Sequence, residues 1–391
     1  MNLETPLRAL FVVQGEGRGH LTQSLALGQL LREAGHEVVA VLVGHSRERA
    51  IPPSFLETIL APVHTFTSPN FAFDHSFRDI RPIRTVVTNL RRLPEFRRSL
   101  RQLLEAIQAY QPDLVVNFYE PLIGVLYRFK RHLPPLVSIG HQYFFLHPAY
   151  PFPPELKLER YLLKTYTRLT TPSGALRLAL SFYETPDLPN RRLYVVPPLL
   201  RPALFQQPLG LTEPFILVYL LNRGYAEDLI RWQQQHPEIL LHVFWDNTEQ
   251  PDGWSPQPGI VFYHLHAERF LEQMVRCRAV VSTAGFETVS EALYLGKPVL
   301  VVPVEGHFEQ RCNAHDLATL GGGLWSPRFD LDPLLSVLPP PGVPTSPSEV
   351  TLRFRAWVAQ APARILPRLF EAAQRPHFSV APLRVLPITL G

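Results

Sequence analysis

Residues 283–310 read TAGFETVSEALYLGKPVLVVPVEGHFEQ, and the apolar run Ala279–Ser282 (AVVS) leads into them. An apolar run that ends in the small-residue turn Thr283-Ala284-Gly285 is the pattern of a buried strand followed by a tight turn. The spacing then predicts a helix from about Phe286, with Glu287 and Glu291 one helical turn apart on one face. A second apolar run, PVLVVP, predicts the next buried strand and ends in a polar loop with Glu309 and Gln310. The helix start offers backbone N–H groups to a phosphate. The helix offers a carboxylate to sugar hydroxyls, and Glu309-Gln310 is a second polar pair nearby. The stretch is equipped to hold a nucleotide sugar.

Working outward, apolar runs alternate with helical patterns along the whole chain, which predicts an α/β protein with parallel sheets covered on both faces. The first half gives strand RALFVV, a helix with Leu27, Leu30, Leu31 and Ala34 on one face that stops at Gly35, and strand EVVAVLV. A basic helix near Leu93–Ala109, strand DLVVNF, a helix near Leu122–His132, strand LVSI, a helix around Glu155–Tyr166 and strand LYVV follow. Residues 197–214 hold five prolines and interrupt the pattern. The pattern restarts with FILVYL, a helix near Tyr225–Gln235, LLHVFW, a loop at 250–259, IVFY and a helix near Ala267–Arg276. The expected division is two Rossmann-like domains, 1–200 and 214–345, joined by a linker at 201–213. Helices and a tail at 346–391 are expected to pack back toward the N-terminal domain.

A chain of 391 residues is long enough for two cores. No apolar run approaches the roughly 18 residues of a membrane span, and the N-terminus enters a strand without a signal-peptide pattern. Cys277 and Cys312 are the only cysteines, too few for a disulfide framework or zinc site, and fit a reducing cytoplasm. Residues 1–200 carry 23 Lys and Arg against 16 Asp and Glu, while residues 201–391 carry 15 against 18. Much of the excess is Arg78, Arg81, Arg84, Arg91, Arg92, Arg97, Arg98 and Arg101. This cluster is either a solvated helix face or a surface for an anionic membrane or a phosphate-bearing acceptor. The second reading would place the protein peripherally at the inner face of the plasma membrane. No nucleic-acid motif accompanies the arginines, so nucleic acid is not expected as a partner.

The first strand runs into QGEGRGH, Gln14 to His20. Gly15, Gly17 and Gly19 permit a tight turn, and Arg18 adds charge. The spacing departs from a dinucleotide fingerprint, and no acidic residue closes EVVAVLV. His20 stands at the carboxyl end of the first strand, where open α/β sheets bind ligands. Its ordinary pKa suits it to take a proton from a hydroxyl; the alternative is a helix-end histidine with a local hydrogen bond. Glu120, after DLVVNF, either orients His20 or caps the next helix. His141 and Gln142, after LVSI, share the same rim.

These two segments resemble glycosyltransferases of the GT-B superfamily, in particular the bacterial N-acetylglucosaminyltransferase that completes lipid II and the UDP-glycosyltransferases. The residues that carry the resemblance are GEGRGHLTQSLALGQLLREAGHEV and TAGFETVSEALYLGKPVLVVPVEGHFEQRCNA. The resemblance implies two Rossmann-like domains facing a central cleft. It implies that Glu291 grips the ribose of the donor nucleotide. Thr283, Ala284, Gly285, Phe286, Glu287 and Thr288 would surround the diphosphate, with Arg223 adding charge. His264 and Leu265 would receive the base, and Glu309 and Gln310 the donor sugar. His20 would be the general base. The plant-type branch has histidine where Thr283 stands and Trp-Asn-Ser where Phe286-Glu287-Thr288 stand. Its supporting aspartate has no counterpart at Asn117 or Phe118. A charged Glu287 would repel a diphosphate unless it turns away.

Asp330-Leu331-Asp332 has the spacing of a metal-binding D-x-D but lies past the nucleotide segment, and no metal or other cofactor is expected. The expectation is a metal-independent inverting transfer of a hexose or N-acetylhexosamine from a nucleotide sugar, UDP-linked by resemblance, to a glycan, lipid or small-molecule acceptor. A nucleotide-sugar 2-epimerase or hydrolase on the same fold, or a non-catalytic binding protein, stays open.

Overall fold

The computed structural model describes residues 5–45, 51–69, 92–220, 223–343 and 346–376. Arg78, Arg81, Arg84 and Arg91 of the basic cluster lie outside these residues. The first half forms a parallel seven-stranded sheet of order β3-β2-β1-β4-β5-β6-β7. Its strands are β1 (Arg8–Gln14), β2 (Glu37–His45), β3 (Val63–Thr67), β4 (Leu114–Phe118), β5 (Leu136–Gly140), β6 (Leu176–Leu180) and β7 (Leu193–Val196). Between them run α1 (Arg18–Glu33), α2 (Pro53–Thr58), α3 (Leu93–Tyr110), α4 (Pro121–Phe129) and α5 (Lys157–Leu169). Ala9 to Val13 are fully buried on both faces of β1, the reason this strand is apolar without alternation. Helix α1 stops where Gly35 takes a left-handed φ of 80° and the His36 amide donates to the Leu31 carbonyl at 2.8 Å.

The second half forms a sheet of order β10-β11-β9-β8-β12-β13-β14. Its strands are β8 (Phe215–Leu220), β9 (Leu240–Trp245), β10 (Trp254–Gln257), β11 (Ile260–His264), β12 (Ala279–Ser282), β13 (Val299–Val301) and β14 (Leu324–Trp325). All pairs are parallel except β10 with β11. Its helices are α6 (Ala226–Gln235), α7 (Ala267–Arg276), α8 (Phe286–Leu295), α9 (Phe308–Leu320) and the short α10 (Asp332–Leu335). The opening stretch therefore folds as β12–turn–α8–β13. The loop read at 250–259 contains strand β10, an antiparallel edge. β3, β6 and the two-residue β14 are further strands that the apolar runs did not reveal.

The connection at 197–214 is packed rather than loose, with Leu199, Leu200 and Leu204 buried. At the other end, α11 (Glu349–Val358) lies against α8, and α12 (Ala361–Ala373) crosses back onto β4, β5 and β7 of the first sheet. The Trp357 indole donates to the Ser181 carbonyl at 2.9 Å, and the Phe370 and His36 rings meet edge to face at 4.7 Å. Buried side chains from both sheets and from these two helices form one continuous apolar cluster.

Candidate active site

The carboxyl ends of β1, β4 and β5 face those of β12 and the β13–α9 loop across the seam between the two sheets. Gly15, in the turn after β1, donates to the Gly44 carbonyl at 2.7 Å, and a Cβ there would lie 2.8 Å from Val43 Cγ1. Gly17 starts α1 with extended backbone, and the Arg18 side chain is exposed. At Gly19 a Cβ would lie 3.0 Å from Glu287 Cγ, so a missing side chain lets the second domain come this close.

His20 is buried and joins a chain of polar groups that crosses the seam. Its Nδ1 is 3.2 Å from Gln23 Oε1, and with Gln23 Nε2 turned to Glu287 this network assigns the ring proton to Nδ1. Gln23 Nε2 in turn donates to Glu287 Oε1 at 2.5 Å. On the other side, His20 Nε2 is 3.5 Å from Gln142 Nε2, and Gln142 Nε2 donates to Glu309 Oε1 at 2.9 Å. The order is Glu287–Gln23–His20–Gln142–Glu309, with both carboxyls from the second domain and the other three groups from the first. Burial pushes His20 down to about 4, partly offset by Gln23. Burial pushes Glu287 up to about 8 and Glu309 up to about 7. Near neutral pH Glu287 is therefore mostly protonated. This removes most of the repulsion that a charged carboxylate would exert on a diphosphate.

Glu120 does not touch the histidine ring. Its carboxyl accepts from Ser68 Oγ at 2.8 Å and caps α4 through the Leu122 amide at 3.0 Å. The sequence reading of Glu120 as the partner of His20 is corrected: Gln23, one helical turn on, takes that position. His141 is also more structural than expected. Its Nδ1 is 2.8 Å from the Leu180 carbonyl, and its ring stacks on Phe286 at 4.0 Å and 14°. Phe286 packs on Phe182 as well, at 4.6 Å. Its side chain thus closes the domain seam, and only its backbone can face a phosphate.

The turn itself is built as a backbone cradle. Thr283 is buried, and Ala284 takes a left-handed φ of 59°, a conformation that costs an L residue about 1–2 kcal/mol. Asn313 Nδ2 supports it by donating to the Ala284 carbonyl at 3.0 Å. Gly285 is exposed at the start of α8, which has no side-chain cap, and Thr288 is half-buried. Arg223, after β8, pairs with Glu249 at 2.6 Å. Gln310 Oε1 accepts from the Val304 amide at 2.8 Å, so this atom shapes its own loop.

Glu291 is 1% exposed and bound by Arg201 of the interdomain connection through two bonds, Nε to Oε1 at 2.5 Å and Nη2 to Oε2 at 2.9 Å. Arg201 Nη1 also donates to the Ala267 carbonyl at 3.1 Å. It thereby joins α8 to the β11–α7 loop, where His264 donates its amide to Asp252 at 2.8 Å and Leu265 packs on the core. Arg201 and Gln23 are the two site residues that the sequence reading missed. Gln23 had a usable signal, its three-residue spacing from His20 on α1. Arg201 had none. Asp330 and Asp332 serve the fold: Asp330 accepts from the Asp332 amide at 3.1 Å, and Asp332 from the Trp232 indole at 2.9 Å.

Two doubly wound sheets with their carboxyl ends facing each other across a seam form the GT-B architecture. The chain belongs to glycosyl transferase family 1, whose profile matches residues 7–338. An uncharacterized glycosyltransferase of Methanosarcina acetivorans is 26% identical over 343 residues, covering 81% of this chain and 83% of its own. One from Methanosarcina mazei is 24% identical over 342 residues, covering 81% and 85%. Among solved structures, the calicheamicin glycosyltransferase CalG4 aligns with a TM-score of 0.60 at 19% identity, over 95% of this chain and 99% of its own. UGT89C1 of Arabidopsis thaliana, solved with UDP-L-rhamnose, aligns with a TM-score of 0.57 at 13% identity, over 95% and 99%. At these identities the structural likeness concerns the fold.

Proposed function

We propose that the enzyme transfers a sugar from a nucleotide sugar, UDP-linked, to an acceptor hydroxyl with inversion, and that His20 is the base. The supporting observation is the polar chain through His20. With its proton on Nδ1 facing Gln23, the ring points its Nε2 lone pair toward Gln142 Nε2 at 3.5 Å, a contact long enough for a substrate hydroxyl to replace. His20 Nε2 takes the hydroxyl proton, the acceptor oxygen bonds to the anomeric carbon from the opposite face, and the bond to the diphosphate breaks with its electron pair on the leaving oxygen. The uncapped amides at the start of α8 and the Arg223 guanidinium stabilise that charge. Glu291 holds the ribose hydroxyls once Arg201 lets go of it, and Glu309 and Gln310 meet the donor sugar. Contact between the two domains keeps water from the donor. Burial keeps the His20 ring neutral near pH 7 but also makes it a weaker base than an ordinary histidine, so a substrate that admits polar groups to the seam should raise it toward its usual value.

His20→Ala should lower turnover by roughly 10²–10⁴-fold while a nucleotide sugar still raises the melting temperature. A panel of UDP-sugars with acceptor hydroxyls, followed by NMR for the anomeric configuration of the product, makes the measurement. Unchanged turnover in His20→Ala, or a retained configuration, would overturn the reading.

A further inference from the structure

Helix α5, KLERYLLKTYTRL, turns an apolar face to solvent. Leu158 is 67% exposed, Tyr161 65%, Leu162 50% and Leu169 49%. Their spacing of three, four and eleven residues puts them on one stripe. Only Thr167 of this helix is fully buried. Lys157, Arg160, Lys164 and Arg168 form a second stripe along one flank, and among the described residues none of the four is in an ion pair. Arg160 and Lys164 both stand over the Phe152 ring, at 4.7 and 4.9 Å. Burial and the neighbouring Arg160, Arg168 and Arg191 hold Lys164 below its usual value, a sign of crowded positive charge.

The patch extends beyond the helix. Arg128, near the end of α4, donates to the carbonyls of Leu169 at 2.6 Å and Thr171 at 2.9 Å, tying the two helix ends together. Next to it Phe129 is 75% exposed, followed by exposed Lys130 and Arg131. Exposed aromatic and aliphatic residues flanked by cations suit an interface that is apolar inside and anionic outside. We infer that this face of α5, with Phe129, docks on an anionic lipid bilayer. A second copy of the chain fits less well, because it would bring the same four cations to the seam against Glu159. The surface adjoins the cleft: α5 packs on the turn His141–Leu146, which carries Gln142, and on α9, which carries Glu309. An acceptor would then be delivered at the bilayer surface. That consequence rests on the function proposed above; the docking itself does not.

Flotation of the full chain with phosphatidylcholine vesicles, with and without phosphatidylglycerol, tests the docking without any sugar substrate. Binding should require phosphatidylglycerol and weaken as salt is raised. Arg160→Gln with Lys164→Gln should lower the partition by at least about tenfold, and Leu158→Ser with Leu162→Ser should abolish it. Leu158, Leu162 and Arg160 are exposed and Lys164 is half-buried, so a melt of each variant beside the parent chain separates lost docking from a lost fold. Binding that ignores lipid charge, or that survives both pairs, would overturn the inference. So would loss of a concentration-dependent dimer in the leucine variant, which would make the face a self-association surface.

Discussion

Glu287 is a residue whose charge state is set by its surroundings. One carboxyl oxygen accepts from Gln23, the other has no hydrogen-bond partner among the described residues, and burial pushes the group up from its ordinary 4.5 to about 8. The native state keeps this proton while the unfolded chain releases it. The associated stability is therefore present below about pH 4.5 and is lost as pH rises through about 8. Glu287→Gln replaces the protonated acid by an amide that accepts the same bond and cannot ionise. Urea unfolding across this range should show a shallower alkaline decline in the variant, with similar stability near about pH 5. Parallel profiles would mean that Glu287 is ionised in the fold. Buried Glu120, at about 8, and Glu309 and Asp316, both at about 7, should supply much of the decline that remains.

At the scale of elements, the turn after β1 shows how glycines are used. A Cβ at Gly15 would meet Val43 Cγ1 at 2.8 Å and the Gly44 carbonyl at 3.0 Å, whereas at Gly17 it would meet nothing within 4 Å. Gly15→Ala should cost about 1–3 kcal/mol by overpacking, and Gly17→Ala far less, as read by chemical denaturation. Equal losses would contradict this account of the loop. The sequence revealed the central strands because β1, β8 and β12 are buried on both faces and so read as plain apolar runs. It hid β3 (VHTFT), β6 (LRLAL) and β10 (WSPQ), which carry polar residues or proline; β3 and β10 sit at sheet edges, where one side needs no burial. The position of His20 was legible because a glycine turn at a strand end has few alternatives. Its partners were not, since Glu287 lies 264 residues away from Gln23. Arg201 was equally invisible, because its pairing with Glu291 spans 90 residues and follows from the docking of the two sheets.

At the scale of the whole molecule, Arg201 ties the interdomain connection to the second domain. Removing the guanidinium leaves Glu291 buried without its partner, and Arg201→Ala should lower stability by about 3 kcal/mol. Adding Glu291→Gln should recover part of the loss, because the buried charge disappears. A double-mutant cycle on the unfolding free energy measures the coupling, and additive losses would show that the pair contributes little. The chain also passes between the domains twice, once through residues 197–214 and again where α11 gives way to α12. A body hung on a single tether can twist freely, whereas one hung on two swings about the line that joins them. Any movement of one domain against the other should therefore follow one fixed arc. Each closure would return Gln23 to Glu287 and Gln142 to Glu309 in the same register, and the reach of the swing would limit how large an acceptor can enter.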